Sequence, residues 1–244
     1  MLPNPRQQAL LDLLEERGQA TVRLLSKKLY ASEATIRRDL TLLEEGHYLR
    51  RTRGGALPLR DKSADPPLLF RQNRDSEEKL AVAESASRLL EDGMTLFLDS
   101  STTAAHLIPF LEKRRGLTVL TNNLGALAPL METRAKVLFC GGDVFNNCCT
   151  VGPRTLEFIR NYYADLCFFS CMGASRENGL ADSAQEITAV KREMLARSAR
   201  SVLLITRSKI DKICFSRICG CAEPVYVAAD GRAAAELFRE EQLL

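Results

Sequence analysis

Two short stretches of this 244-residue chain gather side chains that can do chemistry. In "SEATIRRDL", Ser32 to Leu40, two adjacent arginines and an aspartate stand where the middle of a helix should be. Guanidinium groups on one helix face pair with phosphates and with base edges, so Arg37 and Arg38 suit a nucleic acid. In "LDSSTTAAHL", Ser101, Thr102 and Thr103 follow an apolar run and open a helix. Hydroxyls and free backbone N–H groups at a positive helix end hold phosphate well; the plainer alternative is an ordinary Ser/Thr cap. "TNN" at Thr121 to Asn123 and "GGD" at Gly141 to Asp143 end later apolar runs in the same polar way, and three such ends favour a ligand. Gly173 in "GASRENGL" and the charged Glu186, Lys191 and Lys209 are further candidates, each as readily a loop or a solvated charge.

The elements that must hold the arginines are readable. "RQQALLDLLEERG" carries a helical stripe of Ala9, Leu10, Leu13 and Leu14 and stops at Gly18. "TVRLLSKKL" follows, with Thr21 as N-cap and Val22, Leu25 and Leu29 on one face. Only Tyr30 and Ala31 separate it from Ser32, the next N-cap, and a short helix, tight turn and longer helix make a helix-turn-helix. On a wheel, Ile36, Leu40 and Leu43 fall within about 40° of one another, with Ala34, Arg37, Arg38 and Thr41 opposite. Asp39 lies on the flank, where pairing with a neighbouring arginine would orient it, and Ser32 and Thr35 occupy the first turn, which meets base edges and phosphates. "GHYLRRTRGGALPL" then alternates apolar and basic positions and turns on Gly54 and Gly55, a hairpin with Arg50, Arg51 and Arg53 near its tip. An exposed basic helix alone is often just solvated; a basic hairpin behind it is a wing, and tips the reading to DNA.

Charge agrees. Residues 1 to 60 hold 11 of the 34 Lys and Arg and 7 of the 31 Asp and Glu, a net of +4 against −1 for the remainder. That asymmetry points to a polyanion and to two domains. No apolar run approaches the roughly 18 to 20 residues of a membrane span, and the charged N-terminus is unlike a signal peptide, so the expectation is a cytoplasmic protein with no membrane partner. Eight cysteines and two histidines, His47 and His106, lack paired metal-ligand spacing, and read as reduced thiols serving as small hydrophobes, with no metal.

Residues 61 to 75, with Pro66 and Pro67, read as a linker between a domain over 1–60 and one over 76–232, followed by a tail over 233–244. Beyond the linker, apolar strands "MTLFLD", "LTVLTN", "AKVLFCGG", "ADLCFFSCMG", "SVLLIT" and "PVYVAA" alternate with helices. This is the pattern of an α/β domain with a mostly parallel sheet, whose ligands bind beyond the carboxyl ends of the strands.

"SEATIRRDLTLLEEGHYLRRTRGGA" closely resembles the winged helix-turn-helix of DeoR-type regulators, departing at Tyr30, where that family often has Gly, and at Tyr48. "LDSSTT", "LTVLTNN", "GGD", "GLADSAQEITAVKREM" and "SK" resemble the family's sensor half, similar in fold to ribose-5-phosphate isomerase. Ser101 and Thr206 depart from the Gly and Asp usual there. The resemblance implies a transcriptional regulator, more often a repressor of sugar catabolism, with Thr21, Ser32, Thr35, Arg37, Arg38, Thr41, Arg50, Arg51 and Arg53 toward double-stranded operator DNA. It implies a phosphorylated sugar as effector, with Ser101, Thr102 and Thr103 on the phosphate and Asp99, Asn122, Gly142, Glu186 and Lys209 toward the sugar. "FFSCMGASRENG" and "DSSTT" look more like the family's fucose and rhamnose regulators than its glycerol or deoxyribose ones. Paired operator half-sites call for a homo-oligomer, dimer or tetramer.

The alternative is a sugar-phosphate isomerase. Such enzymes need a carboxylate base, and the isomerases that this domain resembles carry paired aspartates in a "DGAD" loop. The corresponding "CMGAS" has Met172 and Ser175 in those places, so no catalytic residue is expected.

Overall fold

The computed structural model describes residues 5–45, 48–58, 71–72, 74–229 and 232–244. His47 and residues 61–70 and 73 of the expected linker lie outside them. The chain forms two compact units, Met1–Arg74 and Asp75–Leu244.

In the first unit α1 (Pro5–Arg17), α2 (Val22–Lys28) and α3 (Glu33–Glu45) pack with a three-stranded antiparallel sheet. Its strands are β1 (Ala20–Thr21), β2 (Leu49–Thr52) and β3 (Gly55–Pro58), in the order β1-β3-β2. Leu10, Leu14, Leu25, Ile36, Leu40, Leu43 and Leu49 form one buried core, so the apolar stripes of all three helices meet as the wheel requires. The β2–β3 register pairs Thr52 with Gly55, placing Arg53 and Gly54 at the turn, one residue earlier than the two glycines suggest. Gly54, at φ +92, supplies the turn. Gly55 is required by close approach instead, since it pairs with Thr21 across β1, and a Cβ there would collide with the Ala20 carbonyl oxygen. The wing therefore closes on the helical unit by backbone contact.

The second unit is built on a six-stranded, wholly parallel sheet. Its strands are β4 (Thr95–Leu98), β5 (Thr118–Thr121), β6 (Lys136–Phe139), β9 (Ala164–Phe169), β12 (Ser198–Ile205) and β14 (Tyr226–Ala229), one for each apolar run named above. Their order is β14-β12-β9-β4-β5-β6. Leu96, Leu98, Val119, Phe168 and Leu204 join a core with α4 (Ser76–Ser87), α5 (Thr102–Ala105), α6 (Ile108–Leu111) and α7 (Leu127–Met131). The alternate positions Phe97, Leu120, Phe169 and Leu203 are buried too, as are Val190 and Met194 of α9 (Gln185–Ala196), which is why these strands read as continuous apolar runs.

Two smaller pieces were not signalled by alternation: a hairpin of β7 (Asp143–Phe145) and β8 (Cys149–Val151), and an antiparallel sheet of β10 (Gly173–Ser175), β11 (Gly179–Asp182) and β13 (Ser216–Cys219). Between them α8 runs over Pro153–Arg160. The run "ADLCFFSCMG" thus divides, with β9 ending at Phe169 and β10 starting at Gly173. From β4 the chain steps to β5 and β6 on one side and then returns to β9 on the other, so the sheet reverses between β4 and β9. Ligands of open α/β sheets sit in the crevice at such a reversal, beyond the carboxyl ends.

Candidate functional site

On α3, Arg37 and Arg38 are exposed, while Asp39 is buried at 3% exposure. Arg37 holds Glu33 one turn back at 2.6 Å, and Arg38 has no ion pair among the described residues. Asp39 does not orient an arginine of its own helix. It accepts from Arg6 Nε at 2.7 Å and Gln7 Nε2 at 3.0 Å, pinning α3 to the start of α1. Asp39 also raises the Arg6 pKa, through that hydrogen bond and through its charge. Thr21 caps α2, accepting from Leu24 N–H at 3.2 Å, and Ser32 caps α3, accepting from Thr35 N–H at 3.1 Å. Ser32 and Thr35 hydroxyls also bond each other at 2.8 Å.

The wing is tied to α3 twice. Arg51 donates its backbone N–H to Glu44 at 2.9 Å and its Nη1 to the Thr41 hydroxyl at 2.7 Å, while Thr41 in turn donates to the Arg37 carbonyl. Arg50, Arg51 and Arg53 are all exposed. Helix and wing therefore form one basic surface in the first unit.

In the second unit, the expected polar residues stand at the carboxyl edge of the sheet. Asp99 follows β4, Asn122 follows β5, Gly141 and Gly142 follow β6, and Lys209 lies in a 3-10 turn after β12. Ser101 caps α5, a helix of one turn, accepting from Ala104 N–H at 3.0 Å, with Thr102 and Thr103 buried behind it. Lys209 Nζ approaches the Met172 sulfur at 3.5 Å. Gly173 begins β10, where a Cβ would strike the Lys212 carbonyl, and Glu186 is exposed in the first turn of α9. A Cβ on Gly142 would strike the Thr155 hydroxyl, so this glycine serves close packing.

Lys191 is placed otherwise than a ligand contact would be. It is 4% exposed, and its ammonium donates to Asp182 at 2.6 Å, the Ser170 carbonyl at 2.6 Å and Asp99 at 3.1 Å, which uses all three of its protons. Burial opposes the charge, but Asp182 and Asp99 outweigh it and raise the Lys191 pKa. Asp99 also accepts from Ser101 N–H and Ser170 N–H, so one buried cluster joins α9 and β11 to the ends of β4 and β9, at the reversal of the sheet.

Three participants of this edge, Asp182, Ser170 and Thr150, escaped sequence reasoning, while Asn123 stands in the polar "TNN" strand end already singled out. Asp182 and Ser170 complete the lysine's shell; Asn123 spans from Asp99 and Ser101 carbonyls to Ala126 N–H; Thr150 on β8 accepts from Asn122 Nδ2 at 2.8 Å. Of the three that escaped, Asp182 alone had a signal, a carboxylate closing the apolar "GLAD". Because Asn122 Nδ2 must serve Thr150, its amide orientation is set, and its Oδ1 is buried with no donor among the described residues. A separate cavity of about 300 Å³, between α9, β12 and β13, contains none of the expected residues.

Residues 6–61 match the DeoR-like helix-turn-helix domain and residues 74–230 the DeoR C-terminal sensor domain. The chain belongs to the DeoR family. Like the DeoR-family regulator GolR of Listeria innocua, to which it is 32% identical over 99% of this chain and 96% of that one, it is a helix-turn-helix transcriptional regulator. It is 31% identical to the L-fucose operon activator of Escherichia coli, over 94% of this chain and 96% of that one. It is 30% identical to the uncharacterized regulator FruR of Bacillus subtilis, over 94% and 92%. These DeoR relatives stand at nearly equal identity, so none singles out a sugar. Among solved structures, ribose-5-phosphate isomerase A of Methanocaldococcus jannaschii is similar at a TM-score of 0.42 and 18% identity, over 56% of this chain and 55% of that one. No helix among the described residues is long and apolar enough to cross a membrane.

Proposed function

We propose that this chain is a repressor of a sugar-catabolic operon. It binds operator DNA through α3 and the β2–β3 wing, and it is released by a phosphorylated sugar seated on the carboxyl edge of the sensor sheet. Arg38 and Arg37 read the major groove from α3, and Arg50, Arg51 and Arg53 hold phosphates. Two or more copies assemble so that paired heads meet paired half-sites. The sugar phosphate lies against Asn122, Asn123, Ser101 and Lys209.

The observation that carries the effector reading is the orphaned Asn122 carbonyl oxygen. A buried acceptor without a donor costs about 1 to 3 kcal/mol, and a sugar hydroxyl would relieve it. Catalysis is disfavoured by the same geometry: the two buried carboxylates of this edge, Asp99 and Asp182, are both bound to Lys191, so neither is a free base.

Calorimetric titration with a panel of aldose, ketose and deoxyketose phosphates and glycerol 3-phosphate tests the reading. At least one should bind without turnover and weaken operator binding in a footprint, and Asn122→Ala should lose most of that binding. Linkage requires that saturating operator weaken the effector by the same factor. If every member of the panel left operator affinity unchanged, the effector reading would be wrong. The direction of control is tested by deleting the gene, which should raise expression of the operon it governs.

A further inference from the structure

The turn between α2 and α3 presents a feature that core packing does not explain. Tyr30 occupies it with φ +50 and is 97% exposed. A bulky residue in the left-handed region is strained, and an aromatic ring fully in water gains nothing from burial, so glycine would serve the folded unit better on both counts. The turn is nonetheless held in place. Ala31 N–H donates to the Ser26 carbonyl at 3.2 Å, the Ser26 hydroxyl donates to the Ala31 carbonyl at 2.6 Å, and Leu29 N–H closes onto Leu25 at 2.9 Å. The ring is therefore anchored on a fixed backbone two residues before the cap of α3. Lys27 and Lys28 are exposed on the last turn of α2 beside it, and Ser32 is exposed beyond it.

We infer that Tyr30 is a DNA-backbone contact, its hydroxyl donating to a phosphate that flanks the groove entered by α3. The inference rests on the reading of α3 as the groove helix. A phenol is neutral, rigid about two torsions and carries one strong donor, so it adds a directed hydrogen bond to a phosphate oxygen while Lys27 and Lys28 supply the diffuse attraction. Its backbone position is already set in the free protein, so little ordering is lost on binding. Strain retained at a surface turn is what a contact made only in the complex would leave behind.

The test uses the full-length protein, an operator duplex selected by it from a random-sequence pool, and an unrelated duplex, with affinity read by fluorescence anisotropy at several salt concentrations. Tyr30→Phe should weaken both duplexes about 3- to 10-fold with an unchanged salt slope, since a neutral hydrogen bond and no charge is lost. Tyr30→Gly should lose at least as much while melting no lower than the parent. Affinity within twofold of the parent for Tyr30→Gly would overturn the inference, and loss in Tyr30→Gly alone would overturn the hydroxyl contact. Arg38→Ala runs alongside as the control: if it too leaves operator binding unchanged, the placement of α3 fails; if it weakens binding and Tyr30→Gly does not, only the tyrosine contact fails.

Discussion

Lys191, Asp99 and Asp182 divide the work of one buried cluster between a cation with three protons and two carboxylates, and removing the cation leaves both anions in the core without their partner. Breaking a buried pair in this way costs about 3 to 5 kcal/mol, so Lys191→Met should lower the urea midpoint strongly. The triple variant Lys191→Met, Asp99→Asn, Asp182→Asn should recover part of the loss, because two neutral amides carry no buried charge. A single variant within about 1 kcal/mol of the parent would remove Lys191 from any bracing role. The arginines of α3 and the wing separate by their present partners. Arg38 has no ion pair among the described residues, whereas the Arg51 side chain already rests on Thr41. Arg38→Ala should cost about 1 to 3 kcal/mol on operator and far less on random DNA if it reads a base, while Arg51→Ala should weaken both and reduce the salt slope by about one. Equal losses on both duplexes for Arg38→Ala would make it a phosphate contact instead.

Elements whose apolar pattern is set by burial were readable from the sequence: α1, α2 and α3 follow from helical spacing and caps, and all six strands of the parallel sheet from continuous apolar runs. The β7–β8 hairpin and the β10–β11–β13 sheet were not, since segments such as "DVF" and "GAS" lack the continuous apolar run that marks even the four-residue strands of the parallel sheet. Of the edge residues that follow strands, Asn122 was visible as the polar end of an apolar run, and Asp99 through the family resemblance. The shell of Lys191 was not, because Asp99, Ser170 and Asp182 reach it from the ends of three different strands, and no spacing within one element brings them together. Asp39 shows the same blindness from the other side: a wheel finds its flank but not Arg6, 33 residues away. At α5 the positioning has a pH signature. His106 bonds the Thr102 carbonyl at 2.7 Å and the Ser76 hydroxyl at 3.3 Å, joining α5 to the start of α4. Burial lowers its pKa, with the Lys79 charge adding and the Thr102 bond opposing. A lowered folded value means that the unfolded chain takes up the proton first. The contribution is therefore complete above about pH 6.5 and is lost as pH falls toward the folded value. Melting temperature should fall from pH 7.5 to 5.5, and His106→Gln should flatten part of that slope; an identical slope in the variant would show that other groups carry it.

Taken whole, the molecule pairs a cationic reader with a much larger unit that holds all eight cysteines, and those thiols report on how that unit opens. All eight are thiols outside any disulfide, six are buried, and only Cys214 and Cys221 are partly exposed. Burial pushes the Cys140 and Cys219 thiols up to about 12, and raises those of Cys167 and Cys171 as well. Reaction requires a thiolate in reach of reagent, so buried thiols with raised pKa values stay inert until the fold opens. In the native protein an aromatic disulfide reagent should therefore modify at most two thiols quickly, and all eight after unfolding in guanidinium. The slow remainder measures the opening of the unit. Cys149 bridges Asn123 and precedes Thr150, whose carbonyl holds Asn122 Nδ2, so it stands at the same strand-end edge. A ligand on that edge binds only the closed form, so its presence should slow the six by the factor 1 + [L]/Kd while leaving Cys214 and Cys221 to react as before. Fast labelling of more than two thiols in the native protein would show that the strand-end cluster is open to solvent. An effector that binds but leaves the slow phase unchanged would place its site away from the edge where Asp99, Asn122 and Ser101 converge.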